Sequence, residues 1–429
     1  MKKPSQPDYP DVISNIGMLA TADSSDLSDS NCSLLIRKNV WLELKNGKIH
    51  SISSENEQLP TRFENKMIFD ACGGLVTPGL IDAHTHPVFV GTRQAEFVRR
   101  CRGETYQQIA AAGGGILNSI HGVREASEEQ LTNMVKNRLD SFLESGITSV
   151  EGKSGYGLTL ESELKSLRVL KHIAENHPID ISPTLLGTHV VPPEFKSNPD
   201  RYVDLVCNEM IPIAVEENII EGVDVFLEDG AYNLKQARRV FESGSKSGLM
   251  LRIHADQFTA GGGAELAAEF NATTADHMDR TPPEGYRLLA EAGVTVVLLP
   301  GAVFFLGLDE YAPGRSIVDS GCRIALSTDF NPGSSPTQSL TLMMTLGCVK
   351  MGLSPEEALQ AVTSEAARAI GRADKLGHIA TGYQADLCLW KAEDIAYIPY
   401  NFGNMKPEKV FKNGRCVANR GCRVNAEEE

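Results

Sequence analysis

Apolar residues recur in eight short runs between residues 79 and 329, and stretches with helical periodicity separate the runs. Nearly continuous apolar runs of this length are typical of parallel strands buried on both faces. Eight such strands alternating with helices predict an α/β fold, a TIM-like (β/α)8 barrel, with a doubly wound open sheet as the alternative. The runs are 79–86, 146–153, 180–189, 222–229, 249–256, 272–279, 293–300 and 322–329.

Shorter segments of alternating polarity flank this pattern at both ends of the chain. Near the N-terminus, Asn46-Gly47 separates two of them, and such a pair favours a hairpin because both central residues of a type I′ turn need a positive φ. GHIATGYQADLCLW and KVFKNGRCVA follow the last helical stretch. We expect the two ends to form one small composite β-sandwich domain, which divides the chain into 1–77, the barrel 78–375, and 376–429.

The composition is that of a globular protein: 429 residues, 41% hydrophobic and 23% charged. The net charge of −15 argues against nucleic-acid binding, which needs clustered lysine and arginine. No run reaches the roughly 18 apolar residues of a membrane span, and the N-terminal residues lack a signal-peptide core. Nine scattered cysteines indicate no disulfide framework. We expect a cytoplasmic protein with a small-molecule substrate.

Five histidines and an acid at predicted strand ends indicate a metal site. His84 and His86 are two residues apart, so both point to one face of their strand. His254 and Asp329 end later runs, at the barrel rim where active sites lie. Three imidazoles and one carboxylate from this group suit one catalytic Zn²⁺ or Fe²⁺, which lowers the pKa of a bound water to about 7.

The other residues at this rim extend the chemistry. His189 and His277 end two further runs, whereas the remaining histidines fall in turns, helices or the small domain. We expect Asp329 to take a proton from the attacking water and to deliver it to a leaving nitrogen. The chemistry indicated is hydrolysis at an sp² carbon.

These motifs resemble the amidohydrolase superfamily over nearly the whole chain. The similarity lies in H-T-H after TPGLIDA, the later strand-end histidine, S-T-D at 327–329 and the tail G-H-I-x-x-G-x-x-A-D-L. Members with two metals bridge them through a carboxylated lysine on the fourth strand. Here that strand ends Leu227-Glu228-Asp229, so the resemblance implies one metal. Its ligands would be His84, His86, His254 and Asp329.

Five motifs are more specific: HTHPVFVGTR, KSGYGL, LGTH, HADQ and DFNPGS. They resemble the members that hydrolyse the ring of 4-imidazolone-5-propanoate to N-formimidoyl-L-glutamate in histidine degradation. The resemblance also implies a homodimer. Another cyclic amide, a ring deamination and a non-enzymatic metal-binding protein are the alternatives.

The resemblance assigns substrate contacts to several residues. Arg93 would clamp the propionate, since a guanidinium matches a carboxylate. Tyr156 and His189 would contact the substrate, and His277 would polarise the carbonyl or stabilise the oxyanion. The carboxylate end of product and substrate would be bound by Asn331, Gly333 and Ser334.

Two residues depart from this scheme or lack a place in it. Gln257 follows His254 by three residues, where some relatives carry glutamate. Glutamine transfers no proton, so we expect it to orient the substrate while Asp329 and His277 carry the proton chemistry. Lys153 has two possible functions, pairing with a carboxylate at the rim or touching the substrate.

Overall fold

A computed structural model describes residues 9–23, 33–104, 108–109 and 114–424. The strands form two sheets, one of eight strands and one of nine. In chain order the strands are β1 (Val12–Ala22), β2 (Leu34–Lys45), β3 (Lys48–Ile52), β4 (Ile68–Asp70), β5 (Leu75–Pro78), β6 (Leu80–Thr85), β7 (Ile147–Lys153), β8 (Asp180–Thr188), β9 (Gly222–Leu227), β10 (Met250–Ala255), β11 (Thr274–His277), β12 (Thr295–Leu298), β13 (Arg323–Leu326), β14 (Leu387–Trp390), β15 (Lys409–Lys412), β16 (Arg415–Asn419) and β17 (Cys422–Arg423).

Strands β6 to β13 form the barrel, and each pairs in parallel with the next along the chain. Each of the eight predicted runs contains one of these strands, so the prediction of eight parallel strands is confirmed. Every residue of β6 and β7 is buried, which explains why their sequences are not alternating.

The barrel is closed between its first and last strands by a seam that uses side chains as well as backbone. Thr85 bridges to Phe330, and the amide of His86 donates to the Phe330 carbonyl at 2.9 Å. Below them, Asp82 accepts hydrogen bonds from the Thr328 amide at 3.1 Å and the Thr328 hydroxyl at 2.6 Å. These contacts exclude the open-sheet alternative.

Helices connect the strands and cover the barrel. Two of the longer connecting helices begin with capping boxes at Ser127 and Asn233, which satisfy amides of the first turn. The α-helices are Gln94–Cys101, Ile116–Glu125, Glu128–Glu144, Leu160–Asn176, Pro199–Leu205, Ile211–Glu216, Leu234–Lys246, Gly263–Glu269, Pro283–Glu291, Pro300–Leu306, Gly314–Asp319, Leu340–Met351, Pro355–Ala361, Ser364–Ala369 and Tyr397–Tyr400, with 3₁₀ turns at Thr61–Phe63 and Pro193–Phe195 and a π turn at Val206–Met210.

The second sheet combines both ends of the chain, as expected. Its order is β17-β16-β15-β14-β5-β1-β2-β3, with β4 beside β1. The N-terminal and C-terminal parts meet where β5 pairs antiparallel with β14. The predicted hairpin joins β2 to β3, with φ of 53° at Asn46 and 74° at Gly47. The boundaries after residues 77 and 375 stay predictions.

Each sheet has its own apolar core. One cluster fills the space between barrel and helices, and a smaller one, which includes Ile16, Leu42, Leu387 and Phe411, lies within the terminal sheet. Within the described part of the chain, no helix has both the length and the apolar composition needed to cross a membrane.

The junction of β5 and β14 contains a buried hydrogen bond whose loss can be measured. The Trp390 indole donates to the Thr77 hydroxyl at 2.9 Å. Thr77→Val keeps the shape but leaves the indole N–H without its acceptor, so the free energy of unfolding should fall by about 1–3 kcal/mol. The measurement is the urea midpoint. The exposed control Thr61→Val should leave it unchanged, and equal midpoints for all three proteins would contradict the prediction.

Candidate metal centre and active site

Four side chains from three strand ends meet at one rim of the barrel. His84 and His86 come from β6, His254 from β10, and Asp329 lies just after β13. The Nε2 atoms of His84 and His86 are 3.3 Å apart, and those of His86 and His254 are 3.4 Å apart. Asp329 Oδ1 lies 3.6 Å from His84 Nε2 and 3.4 Å from His86 Nε2. The four predicted ligands are therefore brought together.

These separations fit a single divalent cation. Ligand atoms placed tetrahedrally at about 2.1 Å from one ion are about 3.4 Å from each other. All four side chains are buried. The geometry and the donor types together are those that suit a divalent cation.

The imidazoles are in the protonation state that binds metals. Burial, together with the charge of Lys153, lowers the pKa of His86 to about 3. Burial also lowers the pKa of His254, to about 4, although Asp224 opposes the shift. Both rings are therefore neutral at pH 7, and a neutral ring nitrogen can donate its lone pair.

Two aspartates orient two of these rings from behind. His84 Nδ1 lies 2.6 Å from Asp276 Oδ2. His254 Nδ1 lies 3.0 Å from Asp224 Oδ2, although this ring is not well aligned for a linear hydrogen bond. A carboxylate on Nδ1 favours the proton there and leaves the Nε2 lone pair facing the other ligands.

Asp329 and His277 lie side by side in the buried part of the site. Burial raises the pKa of Asp329, while His277 and His254 oppose the shift. The His277 ring centre lies 5.4 Å from that of His254, and its Nδ1 has no hydrogen-bond partner among the described residues. Burial lowers the pKa of His277 to about 3. A neutral imidazole and a carboxyl group that holds its proton more tightly than usual thus share one site.

His189 and Tyr156 form the wall opposite Asp329. His189 stacks on His86, with ring centres 5.2 Å apart, and its Nδ1 bonds the Gly155 carbonyl at 3.0 Å. The Tyr156 ring packs against His189 at 5.3 Å. Buried Glu163 fixes the loop that carries Tyr156, because it accepts hydrogen bonds from the amides of Gly155, Gly157 and Leu158 at 2.7 to 2.9 Å.

Arg93 lines a cavity of about 450 Å³, which Phe89 and Phe330 also line and which none of the four predicted metal ligands lines. Its Nε and Nη2 donate to Glu96 Oε2 at 2.8 and 2.6 Å. Its Nη1 lies over Gly333, and a Cβ atom placed on this glycine would be 2.1 Å from Nη1. Gly333 therefore gives the guanidinium room that no larger residue leaves.

The loop after Asp329 is held together by Asn331. The side-chain carbonyl of Asn331 accepts hydrogen bonds from the amides of Gly333 and Ser334, both at 2.8 Å. The side-chain NH₂ of Asn331 donates to the Asp329 backbone carbonyl and to the Ser334 hydroxyl. The side-chain carbonyl and NH₂ of Asn331 are thus both engaged inside the loop. A ligand would have to replace one of these bonds to reach Asn331.

Gln257 lies half-buried at the same rim, directly after Asp256. Among the residues that the structure describes, its amide has no hydrogen-bond partner. Glu228, at the end of β9, accepts hydrogen bonds from the Phe258 amide at 2.9 Å and from the Thr259 hydroxyl. Glu228 is thus engaged with the loop that carries Gln257.

Comparison with known protein families shows to which family this chain belongs. The family model described as the amidohydrolase family matches residues 75–417. This chain belongs to the amidohydrolase family.

Curated relatives lie within the same family. The imidazolonepropionase of Geobacillus sp. (strain WCH70) is 48% identical over 385 residues, which cover 89% of this chain and 90% of the relative. The imidazolonepropionase of Brevibacillus brevis is 45% identical over 415 residues, which cover 95% and 97%.

Solved structures share the fold at low identity. The 5-methylcytosine deaminase from Klebsiella pneumoniae with 5-fluorocytosine has a TM-score of 0.73 at 15% identity, and the match covers 96% of this chain and 99% of that one. An adenosine deaminase from Xanthomonas campestris with bound zinc has a TM-score of 0.70 at 17% identity, covering 99% and 96%. These similarities show the barrel fold alone.

Sequence reasoning missed the acids that support this amidohydrolase site. Asp224 and Asp276 are fully buried, and each contacts the imidazole of a predicted ligand. The available signal was a charged residue inside an otherwise apolar run, since buried charges are rare unless they are paired. Glu151 and Lys153 in β7 carry the same signal.

The contact between Arg93 and Gly333 generates a prediction. Gly333→Ala should raise KM about tenfold or more, because the new methyl group displaces the guanidinium that we expect to hold the substrate carboxylate. Steady-state kinetics measure the effect, and the thermal midpoint reports stability.

Gly261→Ala is the matched control, since its Cβ meets no atom closer than 3.6 Å in another rim loop. Its KM should equal that of the wild type. A Gly333→Ala protein with an unchanged KM would show that Arg93 does not hold the substrate.

Proposed function

We propose that this protein hydrolyses the imidazolone ring of 4-imidazolone-5-propanoate and releases N-formimidoyl-L-glutamate, a step of histidine degradation. The observation that carries the proposal is the buried cluster of His84, His86, His254 and Asp329, in which His86 Nε2 lies 3.3 to 3.4 Å from a donor atom of each of the other three. Relatives with 45 and 48% identity over most of both chains are imidazolonepropionases, which supports this substrate.

His84, His86, His254 and Asp329 would hold one Zn²⁺ or Fe²⁺, since a set of three imidazoles and a carboxylate accepts either ion. When bound, the ion supplies an activated water and a Lewis acid for the ring carbonyl. One ion is expected, because the β9 end offers Glu228 rather than a lysine, and Glu228 is engaged with the following loop.

Asp329 carries the proton. It accepts one proton as water attacks the carbonyl carbon of the cyclic amide, and it returns that proton to the ring nitrogen when the carbon–nitrogen bond breaks. An ion held by these residues would keep Asp329 ionised and so able to take that proton. His277, which lies beside Asp329, stabilises the oxyanion.

The remaining contacts fix the substrate. Arg93 binds the propionate, while Tyr156 and His189 face the ring. The 331–334 loop binds the carboxylate end through Asn331, Gly333 and Ser334. The Gly333 amide and the Ser334 hydroxyl are both bonded to Asn331, so a ligand bound here would replace one of these hydrogen bonds. Gln257 orients the substrate.

The alternative reactions make different products. A ring deaminase releases ammonia, and deaminases of this fold need a proton donor that Gln257 cannot replace. A non-enzymatic relative would bind metal without turnover. Neither a homodimer nor a cytoplasmic location is tested by the geometry, and both stay predictions.

The deciding experiment supplies the purified protein with 4-imidazolone-5-propanoate made in situ from urocanate. Loss of the ring's ultraviolet absorbance should accompany formation of N-formimidoyl-L-glutamate without ammonia. Chelation should abolish turnover, and Zn²⁺ or Fe²⁺ should restore it, because four ligands converge on one ion. Ammonia release, or turnover that survives complete metal removal, would refute the proposal.

A second prediction separates the proton carrier from the orienting group. Asp329→Asn should lower kcat by about 10²-fold or more, because the amide neither takes nor delivers a proton. Gln257→Ala should change kcat by less than about tenfold, as for one lost hydrogen bond. Metal content is measured beside kcat for each variant. If metal-loaded Asp329→Asn kept near-normal turnover, Asp329 would not be the proton carrier.

A further inference from the structure

Lys153 ends β7 and is completely buried, yet the proposed reaction does not use it. Three carboxylates surround its ammonium. Nζ lies 2.7 Å from Asp224 Oδ2, 3.0 Å from Glu151 Oε1 and 3.7 Å from Asp276 Oδ2. An ammonium has three N–H donors, and here three acids face it. Its ion-pair partners are all carboxylates of the barrel, and its side chain has no exposed surface.

Two of these acids are the ones that orient the ligand imidazoles. Asp276 Oδ2 lies 2.6 Å from His84 Nδ1, and Asp224 Oδ2 lies 3.0 Å from His254 Nδ1. In both aspartates the oxygen that faces the imidazole also faces Lys153. One ammonium thus connects two ligands that come from different strands, β6 and β10.

No other cation takes this place in the described residues. Arg252 is the other buried cation nearby, and its ion pair is with Glu151, where Nε lies 3.9 Å from Oε1. Without Lys153, Asp224 and Asp276 would face each other inside the barrel without the ammonium that lies within 3.7 Å of both. Buried carboxylates in that situation repel and reorient.

We propose that Lys153 is a positioning residue of the metal centre. It holds Asp224 and Asp276 so that these acids keep the Nδ1 protons of His254 and His84 and direct both Nε2 atoms toward the ion. The inference rests on the proposed metal site. Loss of such outer contacts typically weakens metal binding by about 10–100-fold.

The experiment compares Lys153→Met with Glu151→Gln. Methionine has an unbranched side chain of nearly the same length as lysine, but it carries no charge. Glu151→Gln changes the third acid around the ammonium and leaves the contacts to Asp224 and Asp276 in place, so it is the matched control. Zinc affinity is measured by competition with a chromophoric chelator, on protein whose folding is checked by circular dichroism.

Lys153→Met should weaken zinc binding by about 10–100-fold, and Glu151→Gln should change it by less than about threefold. At saturating zinc, kcat of Lys153→Met should fall while KM stays near the wild-type value, because the substrate contacts are intact. A folded Lys153→Met protein with wild-type zinc affinity would overturn the proposal. A wild-type protein that binds no divalent metal would instead refute the metal site itself.

A second measurement does not depend on a variant that folds. In ¹⁵N-histidine spectra of the metal-stripped wild type, His84 and His254, assigned by substitution, should both carry their proton on Nδ1. Protons on Nε2 in either ring would overturn the proposal.

If Lys153→Met does not fold, the charge-balanced Lys153→Met/Glu151→Gln protein takes its place in the zinc titration. The same loss of zinc affinity is expected, and wild-type affinity would again overturn the proposal.

Discussion

The geometry of the metal centre depends on the pairing of charges that the barrel buries. Lys153 Nζ lies within 3.7 Å of three carboxylates, and two of those carboxylates contact the imidazoles of His84 and His254. A buried charge is tolerated only with partners, so each of these groups restricts the orientation of the next. The ligands are therefore positioned by an electrostatic cluster below them as well as by their own strands.

The balance of buried charges explains why a divalent ion suits this interior. Four carboxylates, those of Glu151, Asp224, Asp276 and Asp329, share the space with the two cations of Lys153 and Arg252. When all are ionised, two negative charges remain without a partner. Burial raises the pKa of Asp276 to about 7 and also raises that of Asp329. A divalent cation supplies the missing charge and favours both carboxylates in their ionised form.

Local sequence pattern was sufficient to predict the strands and the common face of His84 and His86. Each of the eight strands lies within its predicted run, and the pairing of His84 with His86 was evident from the twofold repeat of a strand. The partners of Asp224, Asp276 and Lys153 were not predictable, because they join residues 71 and 192 positions apart. The need for glycine at position 333 was not predictable either, because only the fold brings Arg93 against it. The sequence pattern locates the residues of a site. The residues that orient them depend on contacts between distant strands.

Backbone strain at the rim is the last element of this arrangement. His277 and Asp329, at or just beyond the ends of their strands, have left-handed φ values of 72° and 52°, and Asp256 before Gln257 has 52°. A left-handed non-glycine residue costs on the order of 1–3 kcal/mol, less for aspartate, and it persists only where the surroundings hold it. Here Asn331 holds the Asp329 carbonyl at 2.6 Å, and Gly261 and Thr281 hold the Asp256 carboxylate. Asp329 and Asp256 are thus kept in left-handed conformations by hydrogen bonds from neighbouring loops.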